Sequence, residues 1–253
     1  MIAGSADRPR GTAAEARRER IRARLAAEGF VRAEQLAEDF AVSLMTVHRD
    51  LDALRDQGWL RKVRGGAAVE PPARDGAAEL VEAALGEIEP GESVLLDAGG
   101  LNLPLAERLP ERGPLTAVTN HLAAARALAG APGIDLHVIG GAYSAAHDAL
   151  LGSQAEAAVA GLRVDVLIST ATSVAGGQLY EPDQAVVPLR RTLAGVARRR
   201  VLLVATGAFE ERGLYRVLPV AEFSLVIVDG AADEVDVDAL RGAGVTVRHL
   251  AGV

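Results

Sequence analysis

The chain has 253 residues, enough for one small and one larger domain, with a formal net charge of −7. Half of it is apolar (49%) but only 3% is aromatic, so any core is built from Ala, Val and Leu, and no apolar run approaches the roughly 20 residues a membrane helix needs. There is no Cys, which excludes a disulfide framework and thiolate metal sites.

The first segment, MIAGSADRPRGTAAEARRER, has no apolar stretch of the kind a secretion signal carries, so residues 1–14 are expected to be a solvated tail and the protein to be cytoplasmic. Glu15 to Glu28 reads as a helix with Ile21 and Leu25 on one face and Gly29 ending it. Ala33 to Phe40 reads as a second helix, with Ala33, Leu36, Ala37 and Phe40 at helical spacing. Ala41 and Val42 make a short turn, and Ser43 is placed to cap a third helix. In that helix Leu44, Val47, Leu51 and Leu54 form the expected buried stripe. Arg49 stands at the centre of the opposite face, flanked by Met45, Thr46, Asp52 and Ala53. Gly58 stops the helix, and Trp59, Leu60 and Val63 alternate with Arg61, Lys62 and Arg64 in a strand that turns at Gly65 and Gly66.

Two short helices, a tight turn, a capped third helix and a basic ribbon make up a winged helix-turn-helix, which lays its third helix in the major groove of double-stranded DNA. The charge distribution agrees: residues 1–70 hold 13 Lys+Arg and 11 Asp+Glu (+2), residues 71–253 hold 14 and 23 (−9). Ser43, Thr46, His48 and Arg49 are the candidate contacts of the helix. Arg can take a guanine bidentately, and Thr can reach phosphate or a thymine methyl. His48 lies beside the apolar stripe, where packing against the wing is an alternative. Arg61, Lys62 and Arg64 on the wing are candidates for the backbone or a minor groove.

Residues 70–76, EPPARDG, break every periodicity and read as a linker between the 15–69 module and a second domain spanning 77–253. After a helix from Ala77 to Gly86, apolar strands recur at Val94–Leu96, Leu115–Val118, Leu136–Ile139, Val164–Ile168, Val201–Val204, Leu225–Val228 and Val245–Val247. Helical segments at His121–Ala129, Gln154–Ala160 and Pro188–Ala197 fall between them. The expectation is an α/β fold with a mostly parallel sheet covered on both faces. Arg198, Arg199 and Arg200 are expected at a solvated helix end.

The runs RRERI, LAEDFAVS, TVHRDLDAL and GWLRKVRGGA, followed by LLDAGG, VTN and VIGG, resemble the DeoR family of bacterial transcription regulators from Arg17 to Leu250. The resemblance implies an effector domain similar in fold to ribose-phosphate isomerases and CoA transferases. It further implies a sugar, sugar phosphate or related metabolite as effector, and a dimer or tetramer. This chain departs from the family's pattern in places. His48 replaces the first of two Arg after Thr-Val. Gly100, Leu101 and Asn102 stand where phosphate-binding Thr residues are usual, and Ser169–Val174 replaces a Gly-Ala-Asp-Gly segment. Ala185 and Val186 replace an acidic pair, Arg190 a Lys, and Ala208 a second Lys.

Open α/β sheets bind ligands at the carboxyl ends of their strands, so the candidate effector residues are those of the strand-end loops and of Arg190. They are Asp97, Gly99, Gly100 and Asn102; Thr119 and Asn120; Gly140 and Gly141; and Thr170 and Thr172. Gly pairs also serve ordinary turns, and Thr near strand ends often bonds only to backbone. The five His have no zinc spacing, no cofactor motif occurs, and neither a metal nor a cofactor is expected. The function expected is a DNA-binding regulator, a repressor, controlled by a small metabolite. Two readings stand beside it: a regulator whose sensor is degenerate and answers to a protein partner or to no ligand, and an isomerase-like enzyme with a DNA-binding appendage. The enzyme needs a positioned base and electrophile. Ala185, Val186 and Ala208, and a single Lys (Lys62) in the wing, speak against it.

Overall fold

In the computed structural model, residues 13–28, 30–55, 60–63, 66–69 and 76–251 are described, and the chain divides into two units between Pro72 and Ala73. The first comprises α1 (Ala13–Glu28), β1 (Phe30–Arg32), α2 (Ala33–Asp39), α3 (Leu44–Arg55), β2 (Leu60–Val63) and β3 (Gly66–Val69). Its core is Ile21, Val31, Ala33, Leu36, Val47, Leu51 and Leu54, all but Val31 on the helix faces that spacing predicts, with Ala37 and Phe40 packed against it partly buried and the side chain of Leu25 outside the described residues. Leu44 is the exception, at 41% exposed. In the first turn its side chain leans toward the amino end of the helix, past the core. β1 is too short to show a sequence pattern. It pairs antiparallel with β3, which pairs antiparallel with β2, giving the order β1-β3-β2. The predicted wing hairpin is therefore present. Arg64, the Gly65 turn, Trp59 and most of the proposed linker lie outside the described residues.

The arginines of α1 hold this unit together. Arg17 Nε and Arg18 Nε donate to the two carboxylate oxygens of Asp50, at 2.5 and 3.1 Å, and Asp50 on α3 is only 2% exposed. Arg20 stacks over the Phe40 ring at 4.9 Å, and Arg24 pairs with Asp39. These cations link helix to helix.

The second unit runs α4 (Ala77–Leu85), β4 (Ser93–Leu96), α5 (Asn102–Arg108), β5 (Leu115–Thr119), α6 (Leu122–Leu128), β6 (Ile134–Val138), β7 (Ala142–Ser144), β8 (Ala149–Leu151), α7 (Ser153–Ala160) and β9 (Val164–Thr170). It continues with β10 (Ser173–Ala175), β11 (Gln178–Glu181), α8 (Val187–Val196), β12 (Ala197–Val204), α9 (Gly207–Glu210), β13 (Tyr215–Pro219), β14 (Leu225–Val228), α10 (Glu234–Gly242) and β15 (Val247–His249). Seven strands form one sheet in the order β15-β14-β12-β9-β4-β5-β6, every neighbouring pair parallel. Alternate residues serve opposite faces. Val94, Leu96, Val166, Ile168, Val201 and Leu203 pack with α4, α5 and α6. Leu95 and Leu167 pack with α7 and α8, and Leu202, Val204, Val226 and Val228 with α10. Burial on both sides explains the unbroken apolar runs of these strands.

The Arg198–Arg200 expectation is corrected: these residues lie inside β12, whose pairing with β9 starts at Ala197. The strand is longer than its apolar part, and its arginines are drawn to acceptors around it. Arg199 Nη2 reaches Glu87 O at 3.0 Å and Glu92 at 2.9 Å, and Arg198 lies 3.4 Å from Asp165. α5, α9 and α10 add to the helices that spacing predicts. α5 begins directly after the Gly99-Gly100 turn and carries a Pro in its first turns, which masks its periodicity.

Candidate functional site

In the first unit the candidate site is the outer face of α3. Ser43 caps the helix, its Oγ accepting from Thr46 N at 3.2 Å and lying 2.9 Å from Thr46 Oγ1. The cap therefore also orients Thr46. His48 and Arg49 are exposed, and Arg49 Nη2 lies against Met45 Sδ at 3.9 Å. Met45 itself is 66% exposed, an apolar side chain kept on a polar face beside the predicted contacts. Arg61 and Lys62 lie on β2, where the backbone is described, and Arg64 lies outside the described residues.

In the second unit the strand order has a reversal. From β4 the chain steps outward through β5 and β6, whereas β9, β12, β14 and β15 continue on the other side. The loops after β4 and β9 diverge at this point, and the crevice between them is where such sheets take ligands. A cavity of about 60 Å³ lies there. Asp97 and Gly99 reach it from the loop after β4, Asn120 from the loop after β5, Thr172 from the loop after β9, and Glu181 from β11. α8 and the turn entering it add Val186, Leu189, Arg190 and Leu193, and the β7–β8 hairpin adds His147 and Leu151.

Arg190 organises the polar part. Its Nη1 pairs with Glu181, and its Nη2 donates to Asp97 Oδ2 at 3.0 Å, Ser169 Oγ at 2.7 Å and Thr170 O at 2.6 Å. Ser169 donates in turn to Asp97, and Thr172 Oγ1 donates to Glu181 Oε1 at 2.8 Å. The set is buried: the side chains of Arg190, Asp97 and Glu181 are 12%, 4% and 6% exposed. Burial works against the charge of Arg190, but the Asp97 and Glu181 carboxylates more than offset it and hold its pKa above the ordinary guanidinium range. Beside the cavity His147 Nε2 and Asp183 Oδ2 are 2.8 Å apart, and that bond, with the Ala185 amide, holds the Asp183 carboxyl below its usual range.

Of the predicted effector residues, the fold brings Asp97, Gly99, Asn120, Thr172 and Arg190 around one cavity. Asn102 and Thr170 stand directly behind. Asn102 Nδ2 donates to Asp97 O, Asp97 Oδ1 and Ile168 O, fastening the β4 loop to β9. Thr170 is the reason residue 99 is Gly: a Cβ there would fall 1.6 Å from Thr170 Oγ1. Thr119 is fully buried, donating to Leu96 O at 2.9 Å and accepting from His121 N at 3.1 Å, which ties β5 to β4. Gly100, Gly140 and Gly141 do not line the cavity. Gly141 has a packing reason, since a Cβ would meet Leu151 O at 2.6 Å. Sequence reading misses Ser169, Glu181 and His147. No local signal marks Glu181, which shares the run Glu-Pro-Asp with Asp183; its meeting with Arg190 is what singles it out. Among the described residues no group of three or more His, Asp or Glu is placed to hold a metal ion, and no helix is long and apolar enough to cross a membrane.

Comparison with known proteins bears on both units. Residues 17–72 match the DeoR-like helix-turn-helix domain and residues 75–230 match the DeoR C terminal sensor domain. A protein of Escherichia coli O157:H7 named for transcriptional repression of the aga operon is 28% identical over 94% of this chain and 94% of its own. Transcriptional repressor AccR of Agrobacterium fabrum is 28% identical over 80% and 84%. The L-fucose operon activator of Haemophilus influenzae is 23% identical over 77% and 84%.

Proposed function

We propose a mode of action that proceeds from one premise: the chain belongs to the DeoR family of transcriptional regulators. As such it is a DNA-binding regulator under the control of a small metabolite. In our reading residues 15–69 engage operator DNA through Ser43, Thr46, His48 and Arg49 on α3 and through Arg61, Lys62 and Arg64 on the wing. Residues 70–76 link that module to residues 77–253, which bind the effector in the cavity at the sheet reversal and assemble the protein. The observation that carries the reading is the presence, in one chain, of an outward cationic helix face and of a buried polar cavity at the strand reversal.

One such module reads only a few base pairs, too few to mark a site in a genome, so a dimer or tetramer on repeated half-sites is part of the proposal. Repression is the sign we favour, because two of the three relatives named above carry names that refer to repression. In our reading the protein acts by binding and not by catalysis, because Ala185, Val186 and Ala208 replace the acidic pair and the Lys that the resemblance associates with those positions. The test is to sequence the DNA fragments the protein retains, then measure affinity for the recovered site by fluorescence anisotropy with metabolites of the neighbouring genes. One enriched sequence with a repeated half-site, released by one metabolite, is expected. Equal retention of unrelated fragments would overturn the DNA-binding assignment. Light scattering that reports a monomer with and without DNA would overturn the assembly.

A further inference from the structure

The geometry points to a ligand class for the cavity: we infer that it takes a donor-rich, non-phosphorylated polyhydroxy compound, neutral or amine-bearing, and rejects a phosphate ester. This rests on the reading that the cavity is the effector site.

The cations come first. Arg190 is the only Arg or Lys that lines the cavity among the described residues, and the chain's single Lys, Lys62, belongs to the other unit. Both terminal nitrogens of Arg190 are engaged, Nη1 in a bond to Glu181 and Nη2 with Asp97, Ser169 and Thr170 O, so its charge is set against two carboxylates. A phosphate that recruited this guanidinium would strip two buried carboxylates of their partner and stand beside them as a third anion. One guanidinium against the carboxylates of Asp97 and Glu181 leaves one formal negative charge, and Asp183 nearby is kept ionised by its bond to His147. His147 gives its Nε2 to that bond.

The hydroxyls give the same answer. Ser169 donates to Asp97 and Thr172 donates to Glu181, so neither proton is offered to a ligand. Two side-chain acceptors at the cavity are open. Both bonds to Glu181 end on Oε1, which leaves Oε2. Asn120, 2% exposed, donates through Nδ2 to Leu150 O at 3.2 Å, and its Oδ1 has no hydrogen-bond partner. A buried acceptor without a donor is a place for one, and hydroxyl or ammonium groups supply it. The wall also includes the neutral side chains of Leu151, Val186, Leu189 and Leu193. Moving neutral side chains such as Leu189 or Leu193 is less costly than breaking the ion pairs of Arg190, which again disfavours an anion.

The experiment uses the full chain and works before the effector is identified. Inorganic phosphate is titrated first, followed by matched triplets of pentoses and hexoses: the free sugar or its polyol, the amino sugar and the phosphate ester. Melting temperature and calorimetry are the readouts. Millimolar phosphate is expected to leave the melting temperature unchanged, and in the responding triplet the ester should bind at least tenfold more weakly than the unphosphorylated members. Glu181→Gln, which removes one of the two carboxylate charges set against Arg190, should weaken the amino sugar and strengthen the ester. An ester that binds wild-type protein as tightly as its free counterpart overturns the inference. If that ester's affinity also changes with Glu181→Gln, the cavity remains the effector site and only the charge argument falls. If whatever binds is indifferent to both Glu181→Gln and Asn120→Leu, or if nothing binds, the effector-site reading falls with it. The wild-type comparison decides the inference even should a variant fail to fold.

Discussion

The outer face of α3 and the cavity of the sheet both concentrate polar side chains, and they treat them in opposite ways. On α3, His48 and Arg49 stand in solvent, with only the Met45 sulfur drawn against the guanidinium. In the cavity, Asp97, Glu181 and Arg190 are withdrawn from water and satisfy one another. A surface that meets a polyanion loses little by leaving its cations hydrated until DNA arrives. A buried site has no water to fall back on, so its charges must be paired before any ligand comes, and the pairing decides which ligand can enter. The α1 arginines add a third case: Arg17 and Arg18 carry the same charge as Arg49 but are spent on Asp50. Counting arginines would not separate these roles. Their partners do.

The contrast can be broken most forcefully at Arg190. Arg190→Ala leaves Asp97 and Glu181 buried without their cation, and should cost about 3–5 kcal/mol of stability in urea unfolding. A loss near zero would mean that the cavity charges are hydrated like those of α3.

Arg49→Ala tests the other side. It should leave the circular dichroism spectrum and melting temperature unchanged while weakening operator binding by about 1–3 kcal/mol at fixed salt, the worth of one bidentate base contact. A fall in stability instead would place Arg49 with Arg17 and Arg18 among the structural arginines.

Ser43→Ala sharpens the comparison, because Ser43 both caps α3 and contacts Thr46. The cap should be worth about 0.5–2 kcal/mol of stability. The same variant should lower operator affinity modestly, with Thr46 no longer held by a hydroxyl neighbour. Anisotropy and thermal melting on one preparation separate the two effects.

The smallest effect is expected at His121, beside Asn120. Burial lowers its pKa below the ordinary 6.5, only partly opposed by Asp148 and Asp97. As pH falls below about 6.5 the unfolded chain takes up this proton before the folded one, so stability is lost as pH falls toward the folded pKa; above 6.5 both states are neutral and the term vanishes. His121→Gln should flatten that part of the stability profile in denaturant titrations from pH 7.5 to 5. An unchanged slope would remove His121 as its source.

Much of the fold is legible in the sequence because its signals are local. The apolar spacing of Val47, Leu51 and Leu54, the Ser43 cap and the unbroken strands SVLL, VLLV and LVIV each follow from a periodicity of 3.6 or from burial on both faces. Leu44 departs from its pattern because a helix end has no core beneath it, and Arg198–Arg200 depart because strand pairing continues beyond the apolar residues. Of the cavity, Asp97, Gly99, Asn120, Thr172 and Arg190 are readable from strand-end positions and from the resemblance. Ser169 and Glu181 are not, since their importance arises only from meeting Arg190, 21 and 9 residues away in sequence.

The sequence by itself determined the capped helix α3 and its outward face, the parallel sheet and the loops that follow its strands. These rest on interactions between residues a few positions apart, or on a hydrophobic pattern that one chain displays. Only the tertiary structure decided that Arg190 is consumed by Asp97, 93 residues before it, and by Glu181, and that Thr172 and Ser169 have already given their protons away. Hydrogen-bond capacity is used up by whatever neighbour the fold supplies, and which neighbours those are is a property of strand order, not of spacing along the chain.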